Sequence, residues 1–209
     1  MPTLLQLDSS ADLAHSRSRA LTTRFAEAWR SRGDDYVVVH RDLHVDPIPH
    51  LRTTGQHWPE RLREGVEVPS ELDALQRTVL DELLTADAVV IGAPMYNFSM
   101  PSTLKAWVDL VHVPGITAAF DEETLPLAGK PVVVVSARGA TYDAGSPTEH
   151  WDHGTESLRL VLGESMKMNV EVVATSRTLA DRIPALGAEQ AQAEFDAAAA
   201  RVTELATTL

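Results

Sequence analysis

Five short runs of apolar residues are spaced along the chain, and stretches with a helical repeat separate them. Each run is bounded by polar, glycine or proline residues, which is typical of buried strands. The stretches between them repeat apolar residues every three or four positions, as at Leu75, Val79 and Leu83. This alternation predicts a five-stranded parallel sheet with helices on both faces and right-handed crossovers. The predicted strands are Thr3–Asp8, Asp35–His40, Ala88–Ile91, Pro131–Ser136 and Asn169–Ala174.

The predicted strands fit the α/β order 2-1-3-4-5. In that order the loops after strands one, three and four surround one crevice at the carboxyl edge of the sheet, where open α/β sheets bind ligands. All three loops carry residues suited to binding, so together they indicate a site more strongly than any one of them. The chain has no internal repeat, low-complexity segment or linker, which predicts a single domain over residues 1–209.

A serine-rich loop joins the first predicted strand to the first helix. Ser16 or Ser18 can cap that helix, whose free N–H groups and positive dipole end favour an anion. Ser10 adds a hydroxyl group and Arg17 a positive charge. Neither the glycine-rich dinucleotide pattern nor the Walker pattern is present, so the expected anion is a single phosphate monoester. A capped helix after an ordinary serine-rich loop is the alternative interpretation.

The junction after the third strand, Ile91–Pro101, holds two aromatic rings, two thioethers and an amide but no charge. Pro94 ends the strand, and Pro101 suits the first turn of the next helix. This composition favours a flat, mostly apolar ligand whose polar edge backbone groups can bind. The residues expected beside it are Met95, Tyr96, Asn97 and Phe98.

The loop after the fourth strand begins Ala137-Arg138-Gly139-Ala140 and faces the same predicted crevice, although a flexible connection is the simpler interpretation. Histidines at positions 40, 44, 50 and 57, and at 150 and 153, raise the question of a metal. Neither group has the spacing of a known ligand set, so no metal site is predicted.

Composition narrows the classes of function. The chain has 209 residues, 44% of them apolar, which is enough for a substantial core. It has no cysteine and therefore no disulfide, thiolate metal site or thiol nucleophile. The net charge of −12 argues against nucleic acid and anionic membranes as partners. No stretch has the pattern of a signal peptide or a membrane span, so a cytoplasmic protein is expected.

The third junction continues into a longer pattern, Pro94-Met95-Tyr96-Asn97-Phe98 with Pro101, Leu104-Lys105 and Asp109. This pattern resembles the signature of the FMN-dependent NADH-azoreductases, which belong with the flavodoxin-like NAD(P)H:quinone reductases. The resemblance extends over essentially the whole chain and implies a flavodoxin-like fold. It implies reduction of quinones and aromatic azo compounds by ping-pong hydride transfer through FMN, with NADH or NADPH as donor and with azo bonds cleaved to amines.

The resemblance also implies roles for individual residues. Ser10 and the turn Ser16-Arg17-Ser18 hold the FMN phosphate, and residues 95–98 lie beside the isoalloxazine. The loop at 137–140 corresponds to a Ser-Arg-Gly-Gly element, from which Ala137 and Ala140 depart. Ala118 and Phe120 stand in the substrate pocket, at positions where relatives often carry Phe and Tyr. FMN carries the chemistry, so no catalytic side chain is expected, and a homodimer with its active site at the interface is implied.

Other functions share these features. An FMN-binding electron carrier of the flavodoxin type and a general NAD(P)H:FMN reductase are the nearest. A flavin-free nucleotide-binding or interaction domain on the same fold also remains, since a fold does not fix a function. Steady turnover of NADH with a quinone would exclude the carrier. A protein that stays colourless after FMN is added would support the flavin-free domain.

Overall fold

The computed structural model describes residues 1–120 and 125–209. Its centre is a five-stranded sheet in the order β2-β1-β3-β4-β5, with every neighbouring pair of strands parallel. The α/β fold and the strand order predicted from the sequence are confirmed. The strands are β1 (Thr3–Asp8), β2 (Val37–Asp42), β3 (Ala88–Pro94), β4 (Pro131–Ala137) and β5 (Asn169–Thr175).

Helices cover both faces of the sheet. One face carries α1 and α5, and the other carries α2, α3 and α4, which a π-helix at Arg159–Ser165 extends. Within the described ranges, no helix combines the length and apolarity needed to cross a membrane. The helices are α1 (Arg17–Arg30), α2 (Ser70–Thr85), α3 (Ser102–Val111), α4 (His153–Leu158) and α5 (Ala188–Thr208).

Each central strand supplies two apolar layers. Leu5 and Leu7 of β1 pack with α2 and α3, whereas Leu4 packs with α1 and α5. Successive side chains of a strand point to opposite faces, so a strand with helices on both sides must be apolar throughout. Every residue of β3 is buried. This double coverage explains the continuous apolar runs in the sequence.

The edge strand β2 begins and ends two residues later than the sequence predicted. Its pairing with β1 runs from Thr3–Val37 to Asp8–Asp42. Tyr36, which the sequence placed inside the strand, instead packs edge-on against the Trp29 ring at 5.4 Å. The later end of β2 places the Asp42 carboxylate at the carboxyl edge of the sheet.

The strand register brings the functional loops together. Asp8 of β1 lies opposite Gly92 of β3, and Pro94 of β3 lies opposite Ala137 of β4. A Cβ on residue 92 would come within 2.9 Å of the Asp8 Oδ1, so only glycine fits beside this buried carboxylate. The loops that follow β1, β3 and β4 therefore start side by side.

Candidate functional site

Four loops enclose a crevice of about 510 Å³ at the carboxyl edge of the sheet. This volume lies in the range of small-molecule and cofactor sites. Three of the loops are those predicted from the sequence, and they contribute Ser10, Ser16, Arg17, Met95, Tyr96, Ala137 and Gly139. The fourth loop follows β5 and contributes Thr178, Leu179, Asp181 and Arg182.

The fourth loop was missed because β5 is an edge strand, outside the point where the strand order reverses. Its path depends on α5, which packs beside α1 and so draws the preceding loop back over the crevice. The Arg17 guanidinium donates to the Ala191 carbonyl at 2.6 Å, which fixes the start of α5 next to the start of α1. No local sequence pattern predicts this contact between residues so far apart in the chain.

The serine loop ends in a capped helix, as predicted. Ser16 is the N-cap of α1, and its hydroxyl accepts from the Arg19 N–H at 3.3 Å. The Ser16 and Ser18 hydroxyls are 3.1 Å apart. Among residues 1–120 and 125–209, no protein acceptor receives the backbone N–H of Arg17 or Ser18. Free amides and hydroxyl groups at a helix N-terminus are the donor set that a phosphate monoester requires.

The positive charge near this loop is arranged differently from the expectation. Arg17 lines the crevice, but its guanidinium is directed to Ala191 and lies 5.3 Å from the centre of the Phe195 ring. Arg182, from the fourth loop, brings a second guanidinium to the crevice. Asp12 also lies here, and the His15 and Ala14 N–H groups, which donate to its carboxylate, lower the pKa of that carboxyl.

Tyr96 joins the serine loop to the loop after β3. Its phenol oxygen accepts from the Ala11 N–H at 2.9 Å and lies 3.4 Å from the Ser10 hydroxyl. The Met95 N–H donates to the Ala137 carbonyl at 2.9 Å, which ties the loop after β3 to the end of β4. Met95 and Tyr96 therefore form the central part of the crevice, with one loop fixed on either side.

Residues 96–99 form a tight turn. The Tyr96 and Ser99 main chains exchange hydrogen bonds of 2.8 and 3.1 Å, and Asn97 and Phe98 at its tip have φ of 49° and 69°. Positive φ is tolerated by Asn but is strained for Phe. The Phe98 ring is partly exposed and meets Trp151 edge-on at 5.4 Å. Asn97 lines a separate cavity on the other side of the turn.

The loop after β4 enters the crevice through its backbone and small side chains. The Arg138 side chain leaves the crevice, donates to Ser176 and Asp143 at 3.1 Å each, and lines another cavity beside α4. A Cβ on residue 139 would lie 2.9 Å from the Leu179 Cδ1, so glycine allows the fourth loop to approach. Ala140 does not have positive φ, and alanine is therefore free of strain there.

The two residues expected in the substrate pocket lie apart from this crevice. Ala118 is buried, and its carbonyl accepts from the Gly115 N–H at 2.7 Å. Phe120 is exposed, packs edge-on against Trp58 at 5.1 Å, and lines a second cavity of about 370 Å³. A single chain thus does not bring Phe120 to the crevice formed by Met95 and Tyr96.

Beneath the serine loop lies a carboxylate that the sequence did not single out. Asp8 is 2% exposed and accepts from Gln6 at 3.0 Å, His40 at 2.9 Å and Thr22 at 2.7 Å. The hydrogen bond with Asp8 raises the pKa of His40. In the part of the chain that the structure describes, no three acidic or histidine side chains are grouped to hold a metal ion.

Comparison with known proteins gives the family. A family model described as having a flavodoxin-like fold matches residues 2–205. An FMN-dependent NADH:quinone oxidoreductase of Kineococcus radiotolerans is 59% identical over 212 residues, which cover 100% of both chains. The enzyme of the same name from Streptomyces avermitilis is 38% identical, with 99% of this chain and 98% of that protein covered. This chain belongs to the flavodoxin-like family that contains the FMN-dependent NADH:quinone oxidoreductases.

A solved azoreductase structure from Bacillus anthracis shows that the flavodoxin-like fold extends over the entire chain. It aligns with a TM-score of 0.81 and 20% sequence identity and covers 100% of both chains. The family model and the curated relatives confirm the family resemblance seen in the sequence. For a member of this family, the crevice lies where flavodoxin-like sheets bind a ligand, at the carboxyl ends of β1, β3 and β4.

Proposed function

We propose that this protein is an FMN-dependent NADH:quinone oxidoreductase with one FMN-binding domain over residues 1–209. The observation that carries the proposal is the crevice, which joins the serine loop, the Met95–Tyr96 segment and the Ala137–Gly139 segment in one site. The names of the relatives, over full-length alignments, support the same cofactor, donor and acceptor class.

The residues present fit FMN at both ends. The free N–H groups of Arg17 and Ser18, together with the Ser10 and Ser16 hydroxyls, suit its phosphate monoester. Met95 and Tyr96 offer an uncharged wall to the flat ring system. Asn97 and Phe98 follow at the tip of the same turn but do not line the crevice. Ala137 and Gly139 line the crevice and, being small, leave room for the ring. The Arg138 main chain is already bonded to Thr175 and Thr178, so Arg138 supports the loop and does not contact the flavin.

The protein's part in the reaction is to bind, orient and exclude water. FMN, when bound, supplies two-electron transfer between a nicotinamide donor and the acceptor, so no side chain has to act as a nucleophile. We propose that donor and acceptor occupy the same crevice in turn, in a ping-pong cycle. Arg17 and Arg182 are the cationic residues that line the crevice and could meet an anionic donor, NADH or NADPH, while Asp12 and Asp181 in the same lining offset their charge. Aromatic azo compounds are the second proposed acceptor class, and cleavage to two amines takes two cycles.

We further propose a homodimer in which each protomer completes its partner's site. The exposed Phe120 ring packs against the half-buried Trp58 ring away from the crevice of their own chain, and Ala118 is buried in the same segment. An aromatic pair placed in this way can serve as the wall of a neighbouring protomer's acceptor pocket. The cytoplasmic localisation stays a prediction from the sequence.

The proposal is tested by an anaerobic absorbance experiment on the purified protein with FMN, then NADH, then benzoquinone. We expect bound flavin whose visible band is lost with NADH and returns with benzoquinone. Bound flavin that neither NADH nor NADPH can bleach would favour an electron carrier. A protein that retains no flavin at equimolar FMN would refute the proposed site.

A further inference from the structure

The Arg19 side chain makes an unusual set of contacts behind the serine loop. Its Nε and Nη2 both donate to the Ser10 carbonyl, at 3.1 and 2.7 Å. Its Nη1 and Nη2 also donate to the two carboxylate oxygens of Asp42, at 2.5 and 2.9 Å. The guanidinium thus makes four hydrogen bonds and bridges one loop carbonyl and one carboxylate.

Asp42 is itself firmly held at the end of β2. Its Oδ1 accepts from the His44 and Val45 N–H groups at 3.0 and 3.1 Å. The hydrogen bond from Arg19 holds the pKa of Asp42 at about 2, below its ordinary value, so the pair stays charged at neutral pH. The next residue, Leu43, donates its N–H to the Asp8 carbonyl at 2.7 Å, which fixes this segment beside β1.

Arg19 does not line the crevice, and its charge is balanced by Asp42. Its effect on a ligand must therefore pass through Ser10. A carbonyl oxygen turned toward the crevice would repel an anion, whereas a carbonyl held by a guanidinium points away. With that carbonyl fixed, the Ser10 hydroxyl accepts from the Asp12 N–H at 3.2 Å and meets the Tyr96 phenol at 3.4 Å.

We propose that the Arg19–Asp42 pair is a positioning clamp for phosphate recognition. By holding the Ser10 carbonyl away from the crevice, it presents the donors of the serine loop to the phosphate monoester of the cofactor. The inference rests on the proposed function, because it concerns the phosphate end of the FMN site. It assigns a role to two residues that do not themselves line the crevice.

The chain contains a matched pair that serves as a control. Arg41, next to Asp42 on β2, donates to Glu82 of α2 at 2.8 and 2.5 Å. The side chains of this pair are 15% and 20% exposed, against 14% and 20% for Arg19 and Asp42. Arg41 lies on the α2 side of the sheet, away from the serine loop. Its loss therefore removes a similar ion pair without touching Ser10.

The experiment measures the affinity of each apoprotein for FMN and for riboflavin, which lacks the phosphate. We expect the wild type to prefer FMN, and Arg19→Met and Asp42→Asn to reduce that preference by about tenfold, equivalent to about 1.4 kcal/mol. Arg41→Met and Glu82→Gln should leave the ratio of the two affinities unchanged. A general loss of stability would weaken both ligands together, so the ratio isolates the clamp.

Retention of the wild-type ratio in Asp42→Asn, the milder change, would overturn the clamp even if Arg19→Met failed to fold. A fall of the same size in the Arg41→Met and Glu82→Gln variants would also overturn it, because the effect would then be general. If the wild type bound FMN and riboflavin equally, phosphate recognition by this loop would be refuted while flavin binding stood. If the wild type bound neither, the proposed function itself would fall.

Discussion

At the scale of single residues, the site depends on polar groups whose partners come from distant parts of the chain. Asp8 is buried under the serine loop, yet its carboxylate is satisfied by Gln6, Thr22 and His40. Burial of a carboxylate without such partners would cost several kcal/mol. The network therefore makes a buried carboxyl group compatible with a strand end that must also approach Gly92 closely.

The His40–Asp8 contact predicts a pH-dependent stability. The pKa of His40 is raised above its ordinary value of 6.5 by the hydrogen bond with Asp8. A raised folded-state pKa stabilises the fold fully below about pH 6.5, and this contribution is lost as the pH rises through the folded-state pKa. The free-energy difference between wild type and His40→Gln, from urea unfolding, should therefore be larger at about pH 5.5 than at about pH 9.

The exposed His44 provides the control for this prediction. His44→Gln removes a histidine from the same region but from outside the Asp8 network. Its unfolding free energy should follow the wild type across the pH range. A constant difference for His40→Gln at both pH values would mean that protonation of His40 does not contribute to stability.

At the scale of elements, the turn at 96–99 is held by the start of α4. The His153 N–H donates to the Phe98 carbonyl at 3.0 Å, and a Cβ on residue 154 would come within 2.9 Å of the Met100 nitrogen and the Ser99 carbonyl carbon. Since these are main-chain atoms of the loop between β3 and α3, they cannot move aside as a side chain can. Gly154 therefore sets how closely α4 supports the strained turn.

Gly154→Ala should lower the free energy of unfolding by roughly 1–3 kcal/mol, the usual cost of overpacking. This sign is opposite to helix propensity, which favours Ala over Gly by about 1 kcal/mol. Urea unfolding checks the prediction, with Gly163→Ala as the control. At residue 163 the nearest atom is a Val170 methyl carbon at 3.3 Å, which can shift, so a smaller loss is expected. Equal losses in both variants would contradict the steric explanation.

At the scale of the whole molecule, the crevice and the Phe120–Trp58 pair lie on separate parts of one chain. The proposed homodimer would join them, with Phe120 of one protomer serving its partner's crevice. The dimer also has to overcome repulsion between two chains of charge −12, so exposed aromatic residues are the appropriate contacts. Isologous contact would give two equivalent active sites.

Complementation between two variants tests this arrangement. Tyr96→Ala damages the crevice, and Phe120→Arg damages the aromatic pair, so each homodimer should have low quinone reductase activity. A heterodimer isolated with two affinity tags should recover roughly half of the wild-type activity, because one of its two sites carries both changes and the other carries neither. If Phe120 serves the crevice of its own chain, both sites stay damaged and activity is not recovered. A wild type that sediments as a monomer would also contradict the dimer.

The sequence alone determined the sheet, its strand order and the three loops of the crevice. These features follow from local patterns: continuous apolar runs for doubly covered strands, a serine cap for α1, and an uncharged aromatic junction after β3. The departure at Ala140 was visible in the sequence, but only the structure shows that residue 140 does not have positive φ. Local chemistry was sufficient wherever a residue and its neighbours in the chain fixed the outcome.

Only the tertiary structure decided which distant groups meet. It directed Arg17 to Ala191, turned the Arg138 side chain out of the crevice, and brought the loop after β5 across as a fourth wall. It also joined Arg19 to Ser10 and Asp42. Such contacts depend on the packing of α1, α5 and β2 around the sheet, and pairing across that distance leaves no periodic signal in one sequence. The chain therefore encodes the place of the site locally and its electrostatic arrangement through the fold.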